Sequence, residues 1–424
     1  MSRNDFVIGA LGFPTAEPEK VGMSSKRLSR IRPTMQRYID RHLVPGVVTL
    51  VARQGCVIHL DAIGFQDVEA KTPMKTDTIF RIASMTKPIT SVALMMLYEE
   101  GHFLLSDPVS NWISEFSDPI VALPIPPREY TGIPWKLIPA SRSITIRHLL
   151  THTAGLQSQY SPLHGITPEE FAKISERQKS DETVGDFIKR FAKVPLKYHP
   201  GEAWEYSRAT CVIGHLVEII SGMTLNEFFH ERIFKPLKMS DTHFYLPIEK
   251  LDRFTACYTP DKDNHIKLSD PATAESKFVK EPHCYFMGSG GLVSTIADYF
   301  RFDQMLLNGG QLDGEQILGR KTVEMMTRNH VGDLPIWLRG PWTGFGLGFG
   351  IVMNTDHKNT LTSLHKGPLL WSEGTYLWGG AYCTLAWVDP VEQLIGILMT
   401  QVAPYTHLSI RQDIVNMIYQ AIVN

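Results

Sequence analysis

A chain of 424 residues, 43% of them apolar, can bury a large core and is too long for one small domain, so two lobes or one elaborate domain are both open. Its 42 lysines and arginines stand against 44 acids, and a formal charge of -2 offers no basic field to a nucleic-acid or other polyanion partner. The five cysteines, Cys56, Cys211, Cys257, Cys284 and Cys383, are odd in number and lack any C-x-x-C spacing, the pattern of buried thiols in a reducing compartment.

At the N-terminus a short apolar run, 6–11, follows an acid, and no apolar stretch approaches the ~18 residues of a membrane span. The expectation is a soluble, cytoplasmic protein with no cleaved signal and no membrane partner, its oligomeric state left open. Residues 26–42 have helical spacing, and 46–52 and 55–60 read as two strands joined by a short Arg53-Gln54-Gly55 turn.

Ser84-Met85-Thr86-Lys87 comes next, ahead of the nearly all-apolar segment 88–98, which belongs to a buried helix. A serine and a lysine three residues apart share a helix face, and a neutral lysine could take the serine proton. Lowering a lysine from ~10.4 to about 7 costs the ammonium roughly 4–5 kcal/mol, which burial and a neighbouring cation can supply, so the site should be enclosed and locally positive. The motif by itself leaves a second reading, Ser84 as a plain helix N-cap.

From 84 to 240 the pattern is mainly helical, clearest at 146–152, 184–191 and 211–220, with the proline-rich 119–140 read as a long surface connection. His148 and His152 have the i, i+4 spacing of a helical zinc pair, but Leu149 stands where a metalloprotease has its glutamate, so no metal or other cofactor is expected. A turn at Pro200-Gly201 leads to Tyr206, either a buried structural tyrosine or a proton relay.

Strand character returns after about 283. The glycine-rich 344–350 does not open a helix and is better taken as a strand packing its glycines against something bulky than as a phosphate cradle. A second Ser-x-x-Lys, Ser363 to Lys366, lies in a loop-like stretch where nothing would hold the pair together. Gly379-Gly380-Ala381 ends a strand, and its amides read either as a tight bend or as donors to an oxyanion. Segments 376–388 and 393–402, joined at 389–392, form an antiparallel pair before a closing amphipathic helix, 409–423. No serine sits in G-x-S-x-G, so a serine hydrolase here would rely on lysine and tyrosine.

Taken in order, Ser84 to Lys87, the stretch 144–156 with His148-Leu149-Leu150-Thr151-His152-Thr153-Ala154-Gly155-Leu156, the turn to Tyr206, and Gly290-Gly291-Leu292-Val293-Ser294-Thr295 resemble the serine β-lactamase and penicillin-binding protein superfamily. More narrowly, the chain is similar to family VIII carboxylesterases, the esterase branch related to class C β-lactamases. The resemblance implies an α+β fold: an antiparallel sheet flanked by helices, from 1–80 with 280–424, and a mainly helical domain, 81–279, with the active site between them. It also implies acyl-enzyme catalysis on a small ester, with Ser84 as nucleophile, Lys87 as its base, and Tyr206 as partner base and as acid to the leaving alcohol. The backbone N–H groups of Ser84 and Ala381 would hold the oxyanion, with Trp378, Gly379, Gly380 and Arg208 lining the substrate site.

Two departures set the expected substrate. Class C enzymes carry Tyr-x-Asn and Lys-Thr-Gly where this chain has Tyr206-Ser207-Arg208 and Trp378-Gly379-Gly380. The cation that pairs with a β-lactam carboxylate is replaced by tryptophan, which forfeits a contact of roughly 1.5–3 kcal/mol. Short neutral esters are therefore expected ahead of lactams, with weak cephalosporin hydrolysis as a side reaction. An acyltransferase, a β-lactamase or peptidase, and a non-catalytic scaffold protein are the alternatives.

Overall fold

The computed structural model describes residues 7–9, 12–124, 135–157, 173, 178–280, 284–336, 343–353 and 370–424. Among the described residues ten strands form the main sheet: β1 (Val7–Ile8), β2 (Pro14–Thr15), β3 (Gly46–Arg53), β4 (Cys56–Asp67), β5 (Thr72–Pro73), β6 (Thr343–Phe345), β7 (Gly350–Val352), β8 (Tyr376–Gly379), β9 (Leu385–Asp389) and β10 (Leu394–Met399). Their order is β1-β2-β4-β3-β10-β9-β8-β7-β6, with β5 against β4. Every pairing is antiparallel except β2 with β4. The two ends of the chain meet where β10 pairs with β3, Met399 opposite Val48 and Leu394 opposite Arg53.

Side-chain alternation along β3 sorts its residues between two cores. Val47 and Val51 pack with Ile31 and Met35 of α1 (Ile31–Asp40), while Val48, Leu50 and Ala52 face the opposite side. There they share a core with α2 (Thr86–Glu99), α3 (Val184–Phe191), α4 (Ala209–Ser221) and α5 (Ile296–Leu307). The closing helix α6 (Ile410–Tyr419) buries Ile414 and Ile418 on the α1 side. The result is a helix–sheet–helix sandwich whose α2 face runs unbroken from the sheet to Phe187 and Leu216.

The hairpin of 46–60 is present with a longer second strand, and its Gln54-Gly55 corner has φ of 52° and 78°, the pair of positive values that a two-residue turn of the primed kind uses. The long connection 119–140 carries strand pairing at its described ends. Its described ends, Ile120–Pro124 and Trp135–Pro139, form an antiparallel ribbon, which tolerates its prolines because they sit at strand ends. Segment 376–388 is two strands, β8 and β9, with a turn at 380–384; no proline, asparagine or aspartate marks that turn. The glycine-rich 344–350 is likewise a hairpin, β6 to β7, and Gly350 packs against Trp378. The second Ser-x-x-Lys lies outside the described residues. Among the described residues no single helix is long and apolar enough to cross a membrane.

One buried cation anchors the approach to Ser84. Arg81 is fully buried against the rings of Phe254 and Phe278, donates to the Thr255 carbonyl at 2.7 Å, and pairs with Asp270 at 2.6 Å. Asp270→Ala would leave that charge without its counter-ion. The expected cost is about 3 kcal/mol, at the low end for a broken buried pair because Asp270 is partly solvated, measured as a lowered urea midpoint. A loss below about 1 kcal/mol would contradict it.

Candidate active site

Ser84 sits in a single 3-10 turn, Ala83–Met85, directly before α2, and Ala83 has a positive φ of 43°, an unfavourable backbone for alanine. Thr86 Oγ1 donates to the Ala83 carbonyl at 2.7 Å and accepts the Leu292 N–H at 3.2 Å, tying the turn to the segment after Gly288. All of α2 from Thr86 to Leu97 is buried, which draws Lys87 out of water. Pro88 is harmless here, because the first-turn N–H it lacks has no partner within a helix.

Two polar side chains converge on Ser84. Lys87 Nζ lies 3.1 Å from Ser84 Oγ, and the Tyr206 hydroxyl donates to the same oxygen at 2.8 Å. Lys87 Nζ also donates to the Ser289 carbonyl at 2.6 Å and lies 4.7 Å from the centre of the Tyr206 ring. Burial lowers the Lys87 pKa to about 7; the Arg208 charge adds to this and Cys211 opposes it. Near neutrality a large share of the amine, about half at pH 7, is therefore unprotonated, and its lone pair can accept the serine proton. Ser84 itself is partly exposed, so an incoming carbonyl can reach it.

Tyr206 is held by a residue that the zinc-like spacing disguised. The helix Ile146–Leu150 stops before His152, whose φ is 56°, so the two histidines do not form a helical pair. His148 instead completes a capping box, its Nδ1 accepting the Thr145 N–H at 3.1 Å. His152 Nδ1 accepts the Ser207 N–H at 3.4 Å, and its carbonyl accepts the Glu205 N–H at 2.9 Å. Burial, then the Lys87 charge, lowers its pKa to about 3, so it stays neutral. Its ring lies 5.1 Å from that of Tyr206, in a cluster with Trp204, Phe345 and Trp378. Among the described residues no group of three or more His, Cys, Asp or Glu could hold a metal ion.

The turn after β8 lies against the serine. A Cβ on Gly380 would fall 2.4 Å from the Ile82 carbonyl, so only glycine lets this strand end approach the 82–84 backbone so closely. At Gly379 a Cβ would lie 3.0 Å from the Arg411 guanidinium. The space both glycines leave at Cβ is therefore filled by protein. Ala381 is exposed beyond them, and Trp378 is buried among the aromatic rings. Arg208, at the N-cap of α4, is partly buried with Nη1 3.4 Å from Met287 Sδ. The Ser289 carbonyl, His152 and Arg411 were missed as site residues. A backbone carbonyl carries no residue-type signal, and Arg411 is remote in sequence.

A serine, a lysine and a tyrosine brought together at the start of an interior helix, beside an antiparallel sheet, form an arrangement that can carry serine-hydrolase chemistry. The Beta-lactamase family model matches residues 31–415, and the chain belongs to that family. Protein Rv1367c of Mycobacterium tuberculosis is 32% identical over 378 residues, 88% of this chain and 89% of its own length. Esterase EstB of Burkholderia gladioli is 29% identical, over 86% of this chain and 87% of its own length. Among solved structures EstCE1, a hydrolase with promiscuous acyltransferase activity, matches with a TM-score of 0.77 at 27% identity, over 93% of this chain and 99% of that one. The likeness to family VIII esterases within the serine β-lactamase and penicillin-binding protein superfamily therefore holds, as does the α+β fold.

Proposed function

We propose that this chain is a carboxylesterase that hydrolyses short-chain acyl esters through an acyl-enzyme on Ser84. The observation that carries the reading is the placement of Ser84 Oγ between the Lys87 amine, at 3.1 Å, and the Tyr206 hydroxyl, at 2.8 Å. Neutral Lys87 takes the Ser84 proton as Oγ attacks the ester carbonyl. The negative charge that develops on the carbonyl oxygen is met by the N–H groups of Ser84 and Ala381. As the tetrahedral intermediate collapses, the C–O bond to the alcohol breaks and the leaving oxygen takes the Tyr206 proton. The proton on Lys87 then restores the phenol. Water repeats the sequence on the acyl-enzyme, its proton passing to the same pair, and releases the acid with Ser84–OH regenerated.

Trp378 favours neutral esters over lactams, since it supplies no charge for a lactam carboxylate and closes an aromatic wall with Trp204, Tyr206 and Phe345. The expected ranking is that purified enzyme turns over p-nitrophenyl butyrate at least about tenfold faster in kcat/KM than a chromogenic cephalosporin, the difference that a lost charge-assisted contact predicts. Faster lactam turnover would reverse the assignment. Acyl transfer to an alcohol in place of water is the second reading. It is favoured by the likeness to EstCE1, and a transfer product formed with added alcohol would reveal it.

A further inference from the structure

The peptide unit joining Gly380 to Ala381 is held from its far side. Its carbonyl accepts from Arg411 Nη2 at 2.6 Å and from the Cys383 N–H at 3.2 Å. The same guanidinium nitrogen donates to the Thr384 carbonyl at 2.6 Å, so one cation closes both ends of the turn. Gly379 makes the approach possible by having no Cβ to meet the guanidinium. Arg411 is in turn fixed by Tyr405, whose ring centre lies 4.0 Å from the guanidinium carbon and whose hydroxyl oxygen accepts from Arg411 Nη1.

A trans peptide points its C=O and its N–H in opposite directions, and the Gly380–Ala381 bond is trans. Clamping the carbonyl on the α6 side therefore aims the Ala381 N–H the other way. A carbonyl that accepts from a cation also polarises its amide, which makes the N–H a stronger donor. We propose that Arg411 is a positioning residue for the esterase reaction, holding the carbonyl end of this peptide so that the Ala381 N–H is aimed and strengthened as an oxyanion donor. The inference rests on the reading that Ala381 binds the oxyanion.

The test compares p-nitrophenyl butyrate with its thiono analogue, in which C=S replaces C=O and sulfur is a much weaker acceptor for oxyanion donors. For wild type, kcat/KM should favour the oxo ester well beyond the ratio of hydroxide-catalysed hydrolysis. Arg411→Gln should lower kcat on the oxo ester about tenfold or more, leave KM within about threefold, and shrink the oxo-to-thiono ratio by a similar factor. Arg411→Lys should fall between the two, and Tyr405→Phe should shift the ratio in the same direction by less. Equal losses on both esters, with an unchanged ratio, would make Arg411 merely structural and overturn the proposal. A wild-type ratio at the chemical background would instead remove the oxyanion role of Ala381. Thermal melts identify a variant that has lost its fold; should Arg411→Gln do so, the Arg411→Lys and Tyr405→Phe ratios decide.

Discussion

Ser84→Ala should lower kcat/KM for p-nitrophenyl butyrate by about 10⁴-fold or more while leaving the thermal midpoint within a few degrees of wild type. The rate loss follows because, among the described residues, only Ser84 Oγ stands between Lys87 and Tyr206, and the donors that remain can only polarise a carbonyl that nothing attacks. The fold should survive because Ser84 is partly exposed and the hydrogen bonds that hold its turn come from Thr86, from the Ile82 carbonyl and from Tyr299 on Met85. A loss below tenfold would remove Ser84 as the nucleophile.

Lys87→Ala should cost about 10³-fold in kcat/KM, within the range of a general base removed from its nucleophile. The pH profile makes the assignment sharper. With a pKa of about 7, Lys87 is protonated below that value and free above it, so wild-type kcat/KM should rise with unit slope through about pH 7 and then level off. Lys87→Ala should lose that limb. Because the Arg208 charge helps to lower the lysine, Arg208→Gln should move the limb to higher pH. A wild-type limb near pH 10 would mean an ordinary lysine and a different base.

The Ser84, Lys87 and Tyr206 cluster was legible only in part from local signals, which left an N-cap and a structural tyrosine open until the family resemblance joined the three. Ser84 and Lys87 are three residues apart at the start of a nearly all-apolar helix, and such a helix has nowhere to go but the interior, which is also what lowers the lysine. Tyr206 was visible through the Pro200-Gly201 turn. What the chain hid were groups joined only by tertiary contact. The Ser289 carbonyl reaches Lys87 across 202 positions, and a main-chain oxygen looks the same at every residue. His152 shows a zinc-like spacing that helix termination at Leu150 cancels. At 380–384 the two glycines marked a bend, but its depth did not show, because it comes from Gly380 meeting the Ile82 carbonyl and from the Arg411 clamp. The sheet order was partly readable, in the hairpin of β3 with β4 and in β9 with β10. The pairing of β3 with β10 joins residues about 345 apart, beyond the reach of any local pattern.

The most direct test of the central claim is the intact mass of wild type and Ser84→Ala quenched milliseconds to seconds after mixing with p-nitrophenyl butyrate, followed alongside nitrophenol release. The account predicts a burst in wild type with a mass gain of one butyryl group, mapped to the peptide holding Ser84, and neither burst nor adduct in Ser84→Ala. Equal, slow release from both proteins with no adduct would contradict an acyl-enzyme at Ser84 and leave a non-catalytic scaffold as the better description.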